Sequence, residues 1–173
     1  NIPICFVSIF EGIRGENGVY TPWEGQGARA IQAGIRAIRQ GRAACALVGG
    51  CDVKTHEFSF ISLQQLGVFD SWRDGDRGIV PGEGAAFLVL ENEAAASERG
   101  ARIYSRFGGC GFATSDTERP AESVFSTVLS CLDLAGRKAQ VVSGCDGEAG
   151  TAAAEQVALA KSGVAATGIM SPK

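Results

Sequence analysis

A layered α/β fold is predicted for this chain, and three observations predict it. Short apolar or β-branched runs that fit strands alternate with segments of 3.6-residue periodicity that fit helices. The 24 glycines among 173 residues sit at the junctions between these runs and not in a repeat, so collagenous and low-complexity readings fail. Hydrophobic residues make up 45% and charged residues 20%, which is enough apolar surface for a real core and excludes disorder.

The elements follow in order. Ile2 to Ile9 is apolar and partly β-branched, and it reads as a strand or as the end of a helix entering one. Gly15, Glu16, Asn17 and Gly18 mark a turn, and Val19, Tyr20 and Thr21 form a short strand that runs into Pro22. Gly25, Gln26 and Gly27 then make a sharp corner. From Ala28 to Gln40, Ile31, Ile35 and Ile38 define one apolar helical stripe. Small residues (Ala30, Ala33, Gly34, Ala37) cover much of the rest, Arg29, Arg36 and Arg39 mark a polar edge, and Gly41 caps the C-terminus. Ala43 to Val48 has the length and composition of a fully buried strand ending at Gly49 and Gly50.

Residues 57 to 66 form a shorter helix with Phe58, Ile61 and Leu66 apolar, and Trp23, Phe58 and Phe60 read more as core aromatics than as ligand contacts. Ala85 to Leu90 is a strand, Glu91 to Arg99 an exposed helix closed by Gly100, and Ile103 to Phe107 another strand. The polar, turn-rich stretch Ser115 to Pro120 is the best internal boundary, giving parts at 1–114 and 115–173. Beyond it, Val124, Val128, Leu129 and Leu132 give a helix, Gln140 to Val142 a strand and Thr151 to Ala160 a further helix.

Several function classes are excluded by composition. A net charge of -3 with no basic block argues against a nucleic-acid surface. No apolar run approaches the roughly 20 residues of a membrane helix, so no membrane role is expected. The six cysteines lack a close C-x-x-C pair and a signal-peptide pattern, and the expectation is reduced, mostly buried thiols in a cytoplasmic protein without a zinc or disulfide framework. His56, the single histidine, reads as a surface-loop residue.

The most informative stretch is Phe69, Asp70, Arg73, Asp74 and Gly75, leading through Gly82, Glu83, Gly84 and Ala85 into the apolar run Ala86 to Leu90. Phe-Asp-x-x-Arg-Asp-Gly followed by Gly-Glu-Gly-Ala and a hydrophobic strand resembles the β-ketoacyl synthase family, the carbon–carbon bond-forming condensing enzymes of the thiolase fold. The resemblance implies a thiolase-like α/β/α/β/α sandwich, present here in part, because it covers most of this chain but less than half of a typical family member. It also implies a nucleophilic cysteine on the strand-to-helix elbow, three residues before the glycine that opens the helix. That position is Glu24.

A helix N-terminus stabilises a thiolate through its unpaired N–H groups and macrodipole, which is why a cysteine suits that elbow. Glutamate there has the charge but no useful nucleophilicity toward a thioester. The family's two histidine segments are altered as well. Val142 to Thr151 resembles the first in degenerate form, with Gly144 or Asp146 at the histidine depending on a short gap. Met170 to Lys173 resembles the start of the second, with Lys173 at the family's lysine. Nucleophile and histidine act as a unit, so losing both points to a subunit kept for structure.

The resemblance therefore implies a chain-length-factor-type subunit. Such a chain pairs with an active ketosynthase in type II polyketide, polyene or fatty-acid-like synthesis, and meets acyl carrier protein through the complex. Val19, Tyr20 and Trp23 are the candidate interface and tunnel residues, and Phe69, Asp70, Arg73, Asp74, Glu83 and Gly84 a structural signature in which Glu83 is expected at a buried turn. No metal or cofactor is expected: Asp70, Asp74 and Asp76 lack calcium-loop spacing, and the glycines from Gly75 to Gly84 lack a Gly-Lys-Ser/Thr ending. The alternatives are a decarboxylating initiation ketosynthase and a purely structural or decayed paralogue. Familiar chain-length factors and initiation synthases carry glutamine at the replaced position, and a carboxylate does not donate a hydrogen bond to an enolate oxygen as an amide does.

Overall fold

A computed structural model of the chain describes residues 2–20, 25–65, 81–113, 121–130, 138–142 and 149–170. It divides into two compact units, Asn1–Asp52 with Gly84–Phe107, and Val53–Glu83 with Gly108–Lys173.

The first unit opens with helix α1 (Ile2–Phe10), where the sequence left strand and helix open. Pro3 in the first turn suits a helix start, since its missing N–H has no intrahelical partner there. The Phe6 and Phe10 rings stack one turn apart at 6.1 Å. Helix α2 (Gln26–Arg39) follows the loop, and both helices stop in the same way. Gly12 (φ 63°) and Gly41 (φ 69°) adopt the left-handed conformation that an L side chain resists. The next residue then turns its N–H back into the helix: Ile13 to the Ser8 carbonyl at 2.9 Å, and Arg42 to the Ala37 carbonyl at 2.9 Å.

Strand β1 (Cys45–Val53) pairs with β2 (Glu83–Glu91). Lys54 donates to the Gly82 carbonyl while Gly49 lies beside Ala86 and Phe87, so the two strands run antiparallel. Here β1 continues through Gly49 and Gly50 instead of ending there. Gly49 is needed because β2 comes too close for a side chain: a Cβ there would stand 2.7 Å from Phe87 Cα. Only one face of β1 is deeply covered. Val48 is buried while Leu47 is 51% exposed, so the fully buried strand of the sequence reading is corrected to a half-covered one.

Helix α2 meets β1 and β2 through its small residues. Gly34 and Ala37 are its buried positions, and Ile31, Ile35 and Ile38 are half-buried around them. Helix α4 (Glu93–Glu98) starts at an Asn92 cap, whose side chain accepts from the Ala94 N–H at 2.9 Å, and buries Ala96. Glu91 belongs to β2, not to the helix. Ile103–Phe107 is not a strand: Tyr104 is 83% exposed, and the Arg106 guanidinium, its Nε donating to Glu93 Oε2 at 2.8 Å, ties the segment to α4.

In the second unit, α3 (Glu57–Gln65) leaves Phe58 77% exposed, with Phe60 and Ile61 also exposed, which corrects the core placement of the two phenylalanines. Helix α5 (Ala121–Ser130) packs on α6 (Ala149–Lys161), where Ala158 and Leu159 are buried. Strand β3 (Lys138–Val142) pairs in parallel with β4 (Ala165–Met170), from Lys138 opposite Ala165 to Val142 opposite Met170. Helix α6 is the crossover between them, a βαβ unit. The sequence reading had no β4. The boundary proposed at 115–120 lies outside the described residues.

Candidate functional site

The elbow that precedes α2 is the centre of the candidate site. Gly25 holds the N-cap position at φ 75° and ψ 0°, and its carbonyl accepts the Arg29 N–H at 3.1 Å. Among the described residues no side chain caps this helix end, and no acidic residue lies in its first turn. Its unpaired N–H groups favour an anion at the N-terminal end. Glu24, the residue before the cap in sequence, lies outside the described residues, as does Trp23.

Upstream of the elbow, Val19 and Tyr20 are 45% and 40% exposed and belong to no strand. Among the described residues Val19 and Tyr20 have no hydrogen-bonded strand neighbour, so within this chain the expected strand at 19–21 is not formed at these two positions, and Thr21 lies outside the described residues. Two side-chain contacts fix the turn before them. The Ser8 hydroxyl bridges the Ile4 carbonyl at 2.9 Å and the Asn17 side chain at 3.0 Å. Arg42 forms an ion pair with Glu16 and donates from Nε to Gln40 Oε1 at 3.0 Å. The Tyr20 ring lies back over Gly18, where a Cβ would stand 3.3 Å from Cε2. Nothing in the sequence marked Glu16 and Arg42 as partners, since opposite charges 26 positions apart give no local signal.

Among the signature residues, Phe69, Asp70, Arg73 and Asp74 lie outside the described residues, and Glu83 and Gly84 open β2. Glu83 is exposed, not at a buried turn, and accepts a 2.9 Å hydrogen bond from the Thr55 hydroxyl. Gly144, Asp146 and Lys173 also lie outside the described residues. Their segments begin where β3 and β4 end, and Val142 pairs with Met170. Strands β3 and β4 therefore finish at the same end of a parallel pair, the end at which α/β sheets place their ligand sites.

His56 precedes α3 and is exposed, as expected of a surface histidine. It caps that helix: its Nδ1 accepts the Ser59 N–H at 3.3 Å and its Nε2 lies 3.0 Å from the Ser59 hydroxyl. With Nδ1 accepting, the neutral ring carries its proton on Nε2 and donates to that hydroxyl, so it is not a base for Ser59.

Among the described residues, the electrostatic shifts lie away from the elbow. Arg99, by hydrogen bonding and charge, holds the Glu91 carboxyl below its ordinary range, and Arg106 does the same for Glu93. Burial pushes the Cys110 thiol up. Cys5, Cys45 and Cys51 are free and exposed, which corrects their expected burial; Cys131 and Cys145 lie outside the described residues. Among the described residues, no cluster of His, Cys, Asp and Glu fits a metal ion, and no helix is long and apolar enough to cross a membrane.

Comparison with known proteins follows the same line. The family model for the Beta-ketoacyl synthase N-terminal domain matches residues 1–96, more than half of the chain. The "Tetracenomycin polyketide synthase ketoacyl synthase beta subunit" of Streptomyces glaucescens is 31% identical over 114 residues, 60% of this chain and 28% of that protein. "Nodulation protein E" of Rhizobium leguminosarum bv. trifolii is 38% identical over 134 residues, 73% of this chain and 33% of that protein. The chain thus spans about a third of the length of these curated relatives. Among solved structures, a type II polyketide synthase acyl-carrier protein in complex with its ketosynthase bound to the hexaketide matches with a TM-score of 0.71 at 20% identity, covering 96% of this chain and 48% of that one. With the family model and the thiolase-type fold of a ketosynthase in agreement, the chain belongs to the β-ketoacyl synthase family.

Proposed function

We propose that this chain is a non-catalytic, chain-length-factor-type partner of an active ketosynthase, working in the cytoplasm on acyl chains carried by acyl carrier protein. The observation that carries this reading is the elbow. A left-handed Gly25 and an uncapped α2 reproduce the setting that lowers a cysteine's pKa, yet the residue before Gly25 is Glu24. A helix N-terminus favours an anion in general, and a glutamate at that position in the sequence forms no thioester.

The second support is the exit of β3 and β4 from one sheet end. Val142 pairs with Met170, and the sequence after each of these two residues carries Gly144 and Asp146 or Lys173, the positions where the family resemblance expects histidine chemistry. With the first histidine replaced, this chain contributes walls in place of acid–base groups. Its part is to complete a dimer around Val19 and Tyr20 and, with Trp23 beside the cavity, to limit the space into which the partner's acyl chain grows. The two parts, 1–114 and 115–173, are proposed as pieces of the two ketosynthase halves. The relative from Streptomyces glaucescens, described as a beta subunit, favours the same reading.

The test is co-expression with a cysteine-bearing ketosynthase, followed by incubation with acyl-loaded carrier protein. The expected result is a stable heteromeric complex in which mass spectrometry finds the acyl group on the partner's cysteine and none on residues 21–27 of this chain. An adduct on that segment, or a partner fully active without this chain, overturns the reading. Glu24→Cys should add a reactive thiol without giving condensation by this chain alone, because the first histidine segment is still altered.

A further inference from the structure

The turn between α1 and α2 is held from both sides, and its two exposed neighbours, Val19 and Tyr20, follow directly. On one side Asn17 is fixed to α1 by Ser8. On the other, Glu16 is fixed by Arg42, whose own backbone is locked at the end of α2 by the 2.9 Å bond from its N–H to the Ala37 carbonyl. Gln40 shares the Arg42 guanidinium, which limits its rotamers. The Tyr20 ring then lies back on Gly18.

From this geometry we infer that Arg42 is a positioning residue for partner assembly: through Glu16 it holds the Val19–Tyr20 segment in the conformation presented to the partner subunit. The inference rests on the partner reading proposed above. An exposed ion pair contributes little to the stability of a whole domain. In a short loop, however, it raises the fraction of molecules already in the binding conformation, and apparent affinity scales with that fraction. Glu16 is 68% exposed and Arg42 39%, so the pair is open to salt, and its effect is salt-dependent.

The experiment measures binding of the complete chain to its co-purified, cysteine-bearing ketosynthase. Arg42→Gln and Glu16→Gln should each weaken binding about 3- to 5-fold, the range an exposed pair supports. The melting temperature of the chain alone should stay within about 2 °C of the original. The double exchange Glu16→Arg with Arg42→Glu should restore affinity, and in about 1 M salt all variants should bind alike. Single variants that bind like the original chain overturn the inference. So does a double exchange that fails to restore binding, because the two charges would then contact the partner instead of each other. A melting temperature that falls in step with affinity assigns the pair to the fold alone. If the unaltered chain does not bind a ketosynthase, the partner reading itself falls, and this inference with it.

Discussion

Gly34 of α2 rests directly on Val48 of β1: a Cβ on the glycine would stand 2.6 Å from Val48 Cγ1 and 3.3 Å from the Ala46 Cβ. The close approach lets a helix with a small-residue stripe cover the β1–β2 pair. Gly34→Ala sets two effects against each other. Helix propensity favours alanine by about 1 kcal/mol, while overpacking costs about 1–3 kcal/mol. The clash is with a β-branched side chain that has little rotamer freedom, so the net expectation is a loss of about 1 kcal/mol, read by thermal or denaturant unfolding. A more stable Gly34→Ala chain would show that α2 can lift off the sheet without cost.

Gly49 gives the stronger version of the same test. A Cβ there meets backbone, the Ala86 carbonyl and Phe87 Cα, and backbone does not move aside as a side-chain tip does. Gly49→Ala should cost about 3 kcal/mol or more and should exceed Gly34→Ala. Equal losses in the two variants would contradict the close strand approach.

The ion pair of Glu91 with Arg99 sets an acid limit on α4. Because Arg99 holds the Glu91 carboxyl below its ordinary range, the folded state binds its proton less readily than the unfolded chain. The contribution is therefore present above the ordinary carboxylate value and is lost as pH falls through the lower folded one. Glu91→Gln should melt slightly earlier than the original chain at neutral pH, and the gap should close as pH falls below the ordinary carboxylate range. A gap that persists in acid would mean that the side chain acts through shape and not through charge.

Thiol reactivity should sort by burial. Cys110 is half-buried and its thiol is pushed up, whereas Cys5, Cys45 and Cys51 are exposed. The thiolate is the reacting species. Timed iodoacetamide labelling with peptide mapping at about pH 8 should therefore mark Cys110 last of these four. Early labelling of Cys110 would place it on an open surface.

Periodicity made α2, α5 and α6 legible, and the alanine-rich, glycine-closed run made α4 legible, because each carries its own repeat or stop signal. The family was legible from the signature into β2. Other features depend on partners that no local pattern encodes. In β4 the run Ala165, Ala166, Thr167, Gly168 is poor in strand formers, and its parallel neighbour β3, rather than its own propensity, makes it a strand. Ile103–Phe107 has strand composition and no ladder, so propensity misleads in the opposite sense. Phe58 and the cysteines were expected inside because their types usually are, yet burial depends on what covers a face. The clamp of Glu16 by Arg42 joins the loop after α1 to the end of α2, and only the fold brings those two places together.

The prediction that separates interface from tunnel uses Tyr20 and Trp23. Tyr20 is 40% exposed beside a 45% exposed Val19, in a segment without a strand neighbour among the described residues, so under the proposed partner reading a partner strand would cover both. A carboxylate placed there would be desolvated without a counter-charge on assembly, a penalty large enough to prevent it. Tyr20→Asp should therefore leave the chain folded, abolish co-purification with the ketosynthase and stop the partner's product formation. Trp23→Ala removes bulk next in sequence to Glu24, the proposed nucleophile position, without adding charge. If that ring lines the acyl cavity, the complex should persist and the product should lengthen, as measured by mass spectrometry of carrier-protein-bound chains. Loss of the complex in Trp23→Ala would move Trp23 from the cavity to the interface, and an intact complex in Tyr20→Asp would remove Tyr20 from it.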